Sequence, residues 1–276
     1  MEARKAIVAR RVAVVLSVAF GLLSTTVANA YPTSVIFAPT AETLDFIEAG
    51  VNVYVPLDLR PRVQPSATWI GADLGVLPAL SYGAGWTFGG AEVGIDMIDG
   101  AEHVDGTSYA KPIFNAKLNL LAQREWVPAL GIGLMSFAPF QAKESVNFTY
   151  VAATKELVFG GTSAGELTVG MGCAIGAQPE SFSGSFPFRN GRWAWLAGYV
   201  SPEWHRLSVA LDTLGGTSEA SATSFALNFA PSDGSYIMLG AYFSNDRTLP
   251  NDEIFDGVFS SLGLTIPFAS TDDAAE

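Results

Sequence analysis

The run Gly165-Glu166-Leu167-Thr168-Val169-Gly170-Met171-Gly172-Cys173-Ala174 alternates without a break. Leu167, Val169, Met171 and Cys173 fall on one side, and Glu166, Thr168, Gly170 and Gly172 on the other. Successive side chains of an extended chain point to opposite faces, so this stretch is a strand with one apolar face and one face of small or polar groups. The pattern repeats on both sides of it. Leu207, Val209 and Leu211 oppose Ser208, Ala210 and Asp212, and Phe225, Leu227 and Phe229 oppose Ser224, Ala226 and Asn228. Upstream, Val93, Ile95 and Met97 oppose Glu92, Gly94 and Asp96, while Leu130, Ile132 and Leu134 oppose Ala129, Gly131 and Gly133. Phe114, Ala116, Leu118 and Leu120 oppose Asn115, Lys117 and Asn119. No stretch after residue 30 sustains a helical period.

Composition narrows what these strands build. Of 276 residues 49% are hydrophobic and 15% charged, well below the charged quarter of an ordinary soluble domain. The mean hydropathy is +0.29, yet past residue 30 no apolar run reaches the length of a spanning helix. A disordered chain, a disulfide scaffold and a helical membrane bundle are excluded, which leaves an apolar soluble β-protein or a transmembrane β-barrel. A soluble antiparallel sandwich also alternates. Three features favour the barrel. The apolar face is nearly free of charge in one segment after another, as a lipid-facing wall requires. The opposite face is rich in Gly, Ala, Ser, Asn and Asp. Aromatic residues gather at segment ends (Trp86, Phe88, Trp126, Phe137, Trp193, Trp195, Tyr199, Trp204), as in girdles at the two edges of a membrane.

Links divide the chain at regular intervals. Gly89-Gly90, Gln123-Arg124-Glu125, Ser201-Pro202-Glu203 and Pro231-Ser232-Asp233-Gly234 are short, whereas Asp99–Ala110, Gly176–Gly191 and Ser244–Asp256 are long and polar. From Ala91 onward the two kinds mostly alternate, as turns and outer loops do in such barrels. About thirteen strand-like stretches lie between Leu44 and Phe268. A bacterial single-chain barrel takes an even number, so the expectation is an antiparallel up-and-down barrel of about twelve strands, with ten and fourteen open. The stretch Pro56–Leu80, broken by Pro56, Pro61, Pro65 and Pro78, fits least well. The expected organisation is a signal peptide over 1–30, an N-terminal periplasmic segment over 31–43, a barrel over 44–268 and an acidic tail over 269–276.

The first thirty residues read as an export signal. Arg4, Lys5, Arg10 and Arg11 precede an apolar run from Val12 to Leu23, and Ala28-Asn29-Ala30 forms an A-x-A cleavage site, so the mature chain begins at Tyr31. Removing the signal takes four of the 15 basic residues and one of the 27 acidic ones, leaving 11 against 26 and a net charge of −15. Binding nucleic acid by neutralising phosphates is excluded by that sign. The single Cys173 can form no internal disulfide.

Near the C-terminus, Ser261-Leu262-Gly263-Leu264-Thr265-Ile266-Pro267-Phe268 carries Ser261, Gly263, Ile266 and Phe268 at its first, third, sixth and eighth positions. This resembles the terminal-strand signal of bacterial outer-membrane β-barrel proteins, which the barrel-assembly machinery reads. It departs from that pattern in that Ala269–Glu276 follows the aromatic residue. A second resemblance lies in mid-chain. Asn115–Leu121 followed by Trp126–Gly133, then Tyr150–Lys155 and Gly165–Gly172, is similar to hairpins of exopolysaccharide-associated outer-membrane barrels of the YjbH type. Together the resemblances imply a location in the bacterial outer membrane, contact with its lipid, and a tie to polysaccharide secretion. They carry over no catalytic residue.

Chemistry-bearing motifs are sparse. His205, in Glu203-Trp204-His205-Arg206, has Ser201 and Ser208 nearby, but no signature of a lipid hydrolase surrounds it. His103 lies in the acidic stretch Asp99–Gly106, whose spacing is not that of an EF-hand, and a solvated loop is the expectation. No phosphate-binding glycine loop and no His/Cys metal spacing occurs, so neither cofactor nor metal is expected. Strand parity points Asp45, Glu48, Asp73, Glu92, Asp96, Glu166 and Asp212 inward, with Lys117 and Arg206 as the main inward bases. A carboxylate-lined lumen favours cations, whereas the same groups paired with lumen bases would belong to a closed barrel, whose ten-to-twelve-strand interior side chains can fill; the sequence leaves both open. The first expectation is therefore a porin-like conduit with mild cation preference, passing small cationic or neutral solutes. The others are a non-conducting accessory barrel in polysaccharide export and, third, a lipid-modifying enzyme using His205. A periplasmic β-sandwich is the alternative fold.

Overall fold

In a computed structural model, the structure describes residues 34–57, 68–83, 85–99, 111–137, 147–175, 193–215, 222–245 and 257–268. The strands are β1 (Glu48–Leu57), β2 (Thr68–Leu77), β3 (Leu80–Tyr82), β4 (Trp86–Phe88), β5 (Gly90–Asp99), β6 (Lys111–Leu121) and β7 (Ala129–Phe137). They continue with β8 (Asn147–Phe159), β9 (Thr162–Ile175), β10 (Trp193–Val200), β11 (Leu207–Leu214), β12 (Ala222–Phe229), β13 (Ser235–Ser244) and β14 (Gly257–Pro267). Twelve of them form one closed antiparallel barrel in the order β1, β2, β5 to β14, with β14 returning to β1. Every neighbour in the ring is the next barrel strand along the chain, so the topology is up-and-down. The seam pairs Val51 with Leu264 and Val53 with Leu262. A closed ring leaves no unpaired edge, and it replaces the two-layer sandwich kept as the alternative.

The alternation read from the sequence is the wall's two faces. In β9, Thr168 is 0% and Val169 48% exposed. Val93, Ile95, Leu118, Ile132, Val151, Met171, Leu211, Phe225, Leu227 and Leu239 are likewise exposed, and they come from strands all around the ring. Trp86, Trp126, Phe159 and Trp204 lie exposed at the end that holds the start of β1, and Trp193 and Trp195 at the other.

At the first end the links are compact. Gly160 and Gly161, with φ of 60° and 81°, turn β8 into β9, the two-residue geometry whose twist suits a hairpin. His205 and Arg206 do the same between β10 and β11 with φ of 50° and 66°, closed by Trp204 and Leu207 exchanging backbone bonds of 2.8 and 2.9 Å. The β3–β4 hairpin is the excursion between β2 and β5. It leans on the end of β6 through Ala122 N–H to the Thr87 carbonyl (2.8 Å) and Gly89 N–H to the Asn119 carbonyl (2.9 Å). This excursion is why Pro56–Leu80 fitted poorly. β1 runs through Pro56, β2 follows at Thr68, and the next link is built from two extra short strands.

The N-terminal boundary also differs from the expectation. β1 begins at Glu48 rather than Leu44, and residues 34–44 do not stand apart from the barrel: they lie inside it, with Asp45 and Phe46 exposed where the segment leaves. The reason is in the side chains. Val35, Ala38, Ala41 and Leu44 are apolar, and the lumen offers burial that water does not. The expected signal peptide over 1–30, the acidic stretch 100–106 with His103, and the expected tail 269–276 lie outside the described residues.

Candidate functional site: the lumen and the strap that crosses it

Residues 34–46 form a strap across the lumen. At its start Val35 N–H bonds the Ala38 carbonyl (2.9 Å), folding Ile36, Phe37 and Ala38 into a tight bend. Their three N–H groups converge on one oxygen, Oδ2 of Asp212 on β11, at 3.0, 2.5 and 2.7 Å. Successive amides in a turn make a concave anion site, and here the wall supplies the anion. Ser224 stands across the ladder from Asp212. Further along, Ala41 N–H donates to Thr154 Oγ1 (2.8 Å), which is also 2.9 Å from Thr168 Oγ1. Leu44 N–H donates to Glu92 Oε2 on β5 (2.9 Å). Glu92 Oε1 lies 3.1 Å from Lys117 Nζ, both side chains being buried, and Lys117 donates to the Glu42 carbonyl at 2.7 Å. The strap leaves through Ile47 N–H to the Gly75 carbonyl (3.0 Å) and enters β1. β11 and β5 are six places apart in a ring of twelve strands, so the strap runs along a diameter.

The wall is shaped to receive it. A Cβ on Gly131 would sit 2.8 Å from Ala41 Cα, and one on Gly198 would sit 2.6 Å from a Val35 methyl. A Cβ on Gly75 would overlap the Asp45 carbonyl. Val35 packs with Ala210, Ala226, Met238, Tyr242 and Phe259, and Ala38 and Ala41 with Phe148, Tyr150, Leu196 and Leu214. Phe37 sets its ring edge-on to Tyr54 (5.5 Å) and Tyr242 (6.1 Å) and tilted against Phe259 (5.6 Å). Such pairs add roughly 0.5–1.5 kcal/mol each beyond the area they bury.

Asp212, Glu92 and Lys117 are all buried and all engaged with the strap. Asp73 and Asp96 are half-buried on the inward faces of β2 and β5. Asp96 accepts from Asn115 Nδ2 at 2.6 Å, and Gly71 beside it makes room for the Asp96 and Asn52 side chains. Glu166 is half-buried on β9, directly opposite Glu156. Glu48 starts β1 and accepts from Asp45 N–H at 3.1 Å. Asp45 itself is not on the wall; it is exposed where the strap leaves the barrel. Arg206 is a correction. It belongs to the hairpin turn rather than the inward face, and its guanidinium caps the Ala230 and Pro231 carbonyls at 3.3 and 3.1 Å. On the strap, burial pushes the Glu42 carboxyl above its ordinary value, with Lys117 pulling it down and Glu156 pushing it up.

His205, in its turn, rests its ring edge-on against Trp204. Ser201 Oγ is committed to the backbone, accepting from Val209 N–H and donating to the Pro202 carbonyl. Among the described residues no hydrogen bond joins His205 to a serine, and no group of His, Cys, Asp and Glu is placed to hold a metal ion. At the C-terminus, Ser261 and Gly263 face inward, Ile266 faces out, and Phe268 closes the seam by donating to the Ile47 carbonyl (3.1 Å). Pro267 is the last residue of β14.

Sequence reasoning missed the strap, the Thr154–Thr168 pair and the aromatic group around Phe37. One signal was available for the strap: Val35-Ile36-Phe37-Ala38 is an apolar run ahead of the first strand, with no use for it in solvent.

No family model and no curated protein matches the chain. Among solved structures it is similar to the NanC porin, at 10% identity and a TM-score of 0.46, over 80% of this chain and 100% of that one. It is also similar to outer membrane phospholipase A from Escherichia coli, at 11% identity and a TM-score of 0.43, over 79% and 92%. These likenesses transfer no residue role. The architecture rests on the strand pairing described above.

Proposed function

We propose that the chain is a bacterial outer-membrane β-barrel serving as an envelope conduit with cation preference, closed by its own strap in the conformation described. The observation that carries this reading is the separation of the two faces. The outside of the ring is apolar on strand after strand, an extent of exposed apolar surface that soluble monomers do not carry and that lipid covers. The inside holds Asp73, Glu92, Asp96, Glu166 and Asp212. Export through the Ala28/Ala30 site, contact with outer-membrane lipid, and assembly through Ser261, Gly263, Ile266 and Phe268 belong to the same proposal. The test has two readouts. The protein should leave membranes only with detergent and run differently on a gel before and after heating. In planar bilayers under high voltage it should open in steps whose reversal potential favours cations. Extraction in plain buffer, or steps that favour anions, would refute it.

A second reading is a non-conducting accessory barrel in polysaccharide export. It is favoured by the packing of Phe37 against Tyr54, Tyr242 and Phe259, which fills the lumen with apolar side chains. Loss of surface polymer on deletion, with small-solute permeability unchanged, would select it. A His205→Ala variant should leave the membrane lipid profile unaltered in either case.

A further inference from the structure

The strap belongs to the lumen but not to the wall. The ring closes between β1 and β14 without it, and most of its hydrogen bonds are made by strap backbone to wall side chains. Two of its anchors are carboxylates on opposite sides of the barrel, Asp212 on β11 and Glu92 on β5. Asp212 receives three backbone N–H groups on a single oxygen, and Glu92 receives that of Leu44 beside its ion pair with Lys117. Three aligned amide dipoles at hydrogen-bond distance put partial positive charge where a cation passing Asp212 would sit. We propose that the strap is a tethered inhibitor of a cation pathway. It holds the barrel shut by crossing the lumen and occupying, with its own amides, Asp212, the carboxylate a permeating cation would meet there, while Leu44 ties its far end to Glu92.

This rests on the conduit reading and adds its regulation. Gly131 and Gly198 fit the inference, because each clears space for a strap residue that a side chain there would exclude. Asp73 and Asp96 continue the acidic lining along β2 and β5 beside Glu92. Removing the strap therefore opens a path lined by Asp73, Asp96 and Asp212, with Lys117 already paired to Glu92.

The experiment compares the full mature chain with a variant lacking residues 34–44, each in planar bilayers across a potassium chloride gradient at low voltage. The strapless barrel should conduct at least about tenfold more than the parent, since a strap docked by more than about 1.4 kcal/mol leaves the parent open less than about a tenth of the time, with a reversal potential favouring potassium. Adding Asp212→Asn to it should reduce that preference. Equal low conductance in the two proteins, or anion preference in the strapless one, overturns the inference. A second variant keeps the test open should the deletion fail to fold. Gly198→Leu leaves the chain at full length and drives a side chain into the strap's Val35. It should open more often and at lower voltage than the parent, with the same preference for potassium. Openings no more frequent than the parent's overturn the inference. Cation-selective openings of the parent that neither change touches would sink the strap's role while leaving the conduit reading intact. Silence of every inserted protein at every voltage would sink both.

Discussion

Asp212→Ala is the most informative single change in the barrel. It removes the acceptor of three amides, the buried one of Ala38 and the half-buried ones of Ile36 and Phe37. A hydrogen bond to a charged group contributes about 1.5–3 kcal/mol net. Three donors share one oxygen, and amides released from it regain water if the strap lifts. The expected loss is thus less than the sum, about 3 kcal/mol of strap docking. Asp212→Asn keeps an oxygen but loses the charge and should cost about 1–2 kcal/mol. The assay is chymotrypsin cleavage at Phe37 in the detergent-folded protein. Because Phe37 is packed between Tyr54 and Phe259, cleavage requires strap release. A loss of about 3 kcal/mol raises the released fraction by about a hundredfold. The barrel wall, paired independently of the strap, should keep its urea midpoint to within about 1 kcal/mol. Unchanged cleavage in Asp212→Ala, or collapse of the whole barrel with no separate strap step, would refute the reasoning.

Other expectations follow from the same contacts. Lys117→Met leaves Glu92 charged, buried and without its ion-pair partner, so urea titration should show a loss of about 3–5 kcal/mol, most of it restored by adding Glu92→Leu. Gly198→Leu drives a side chain into Val35 and should cost about 1–3 kcal/mol of strap docking, read as faster cleavage at Phe37. On the outside, Val169→Arg sets a charge on the lipid face of β9 and should destabilise folding into bilayers by about 2–4 kcal/mol while barely affecting folding into thin micelles. For the strap carboxyl the sign runs from the raised value of Glu42. A group whose folded value lies above its unfolded one stabilises below the unfolded value, and that contribution fades as pH rises through the folded one. Strap docking should therefore weaken from acid toward neutral pH, and Glu42→Gln should flatten that profile. Protease cleavage of the two proteins across the range checks it.

Most of the wall was legible because each strand separates a lipid-like face from a lumen face, and a period of two survives whatever the neighbours are. β9, β11 and β12 are read almost to the residue. Proline misled at β1 and β2, where Pro56 is tolerated one residue from the strand end. The lumen was legible only by parity. Parity puts Asp212 and Glu92 on the inward side but is silent about what they bind. The strap escaped because it has no period: Ser34–Phe46 takes its shape from the cavity around it, and what fixes it are glycines and carboxylates more than a hundred residues away in some cases. Arg206 was misplaced because parity was extended into a two-residue turn, where the left-handed backbone resets which way side chains face.

An anchor made of main-chain amides does not read the side chains it holds. Asp212 would grip almost any tripeptide that bends as Ile36, Phe37 and Ala38 do, proline alone being barred for want of a hydrogen to give. Selection among strap sequences therefore falls to the packing, to Gly198 over Val35 and to the rings around Phe37, while the aspartate fixes only where the bend sits.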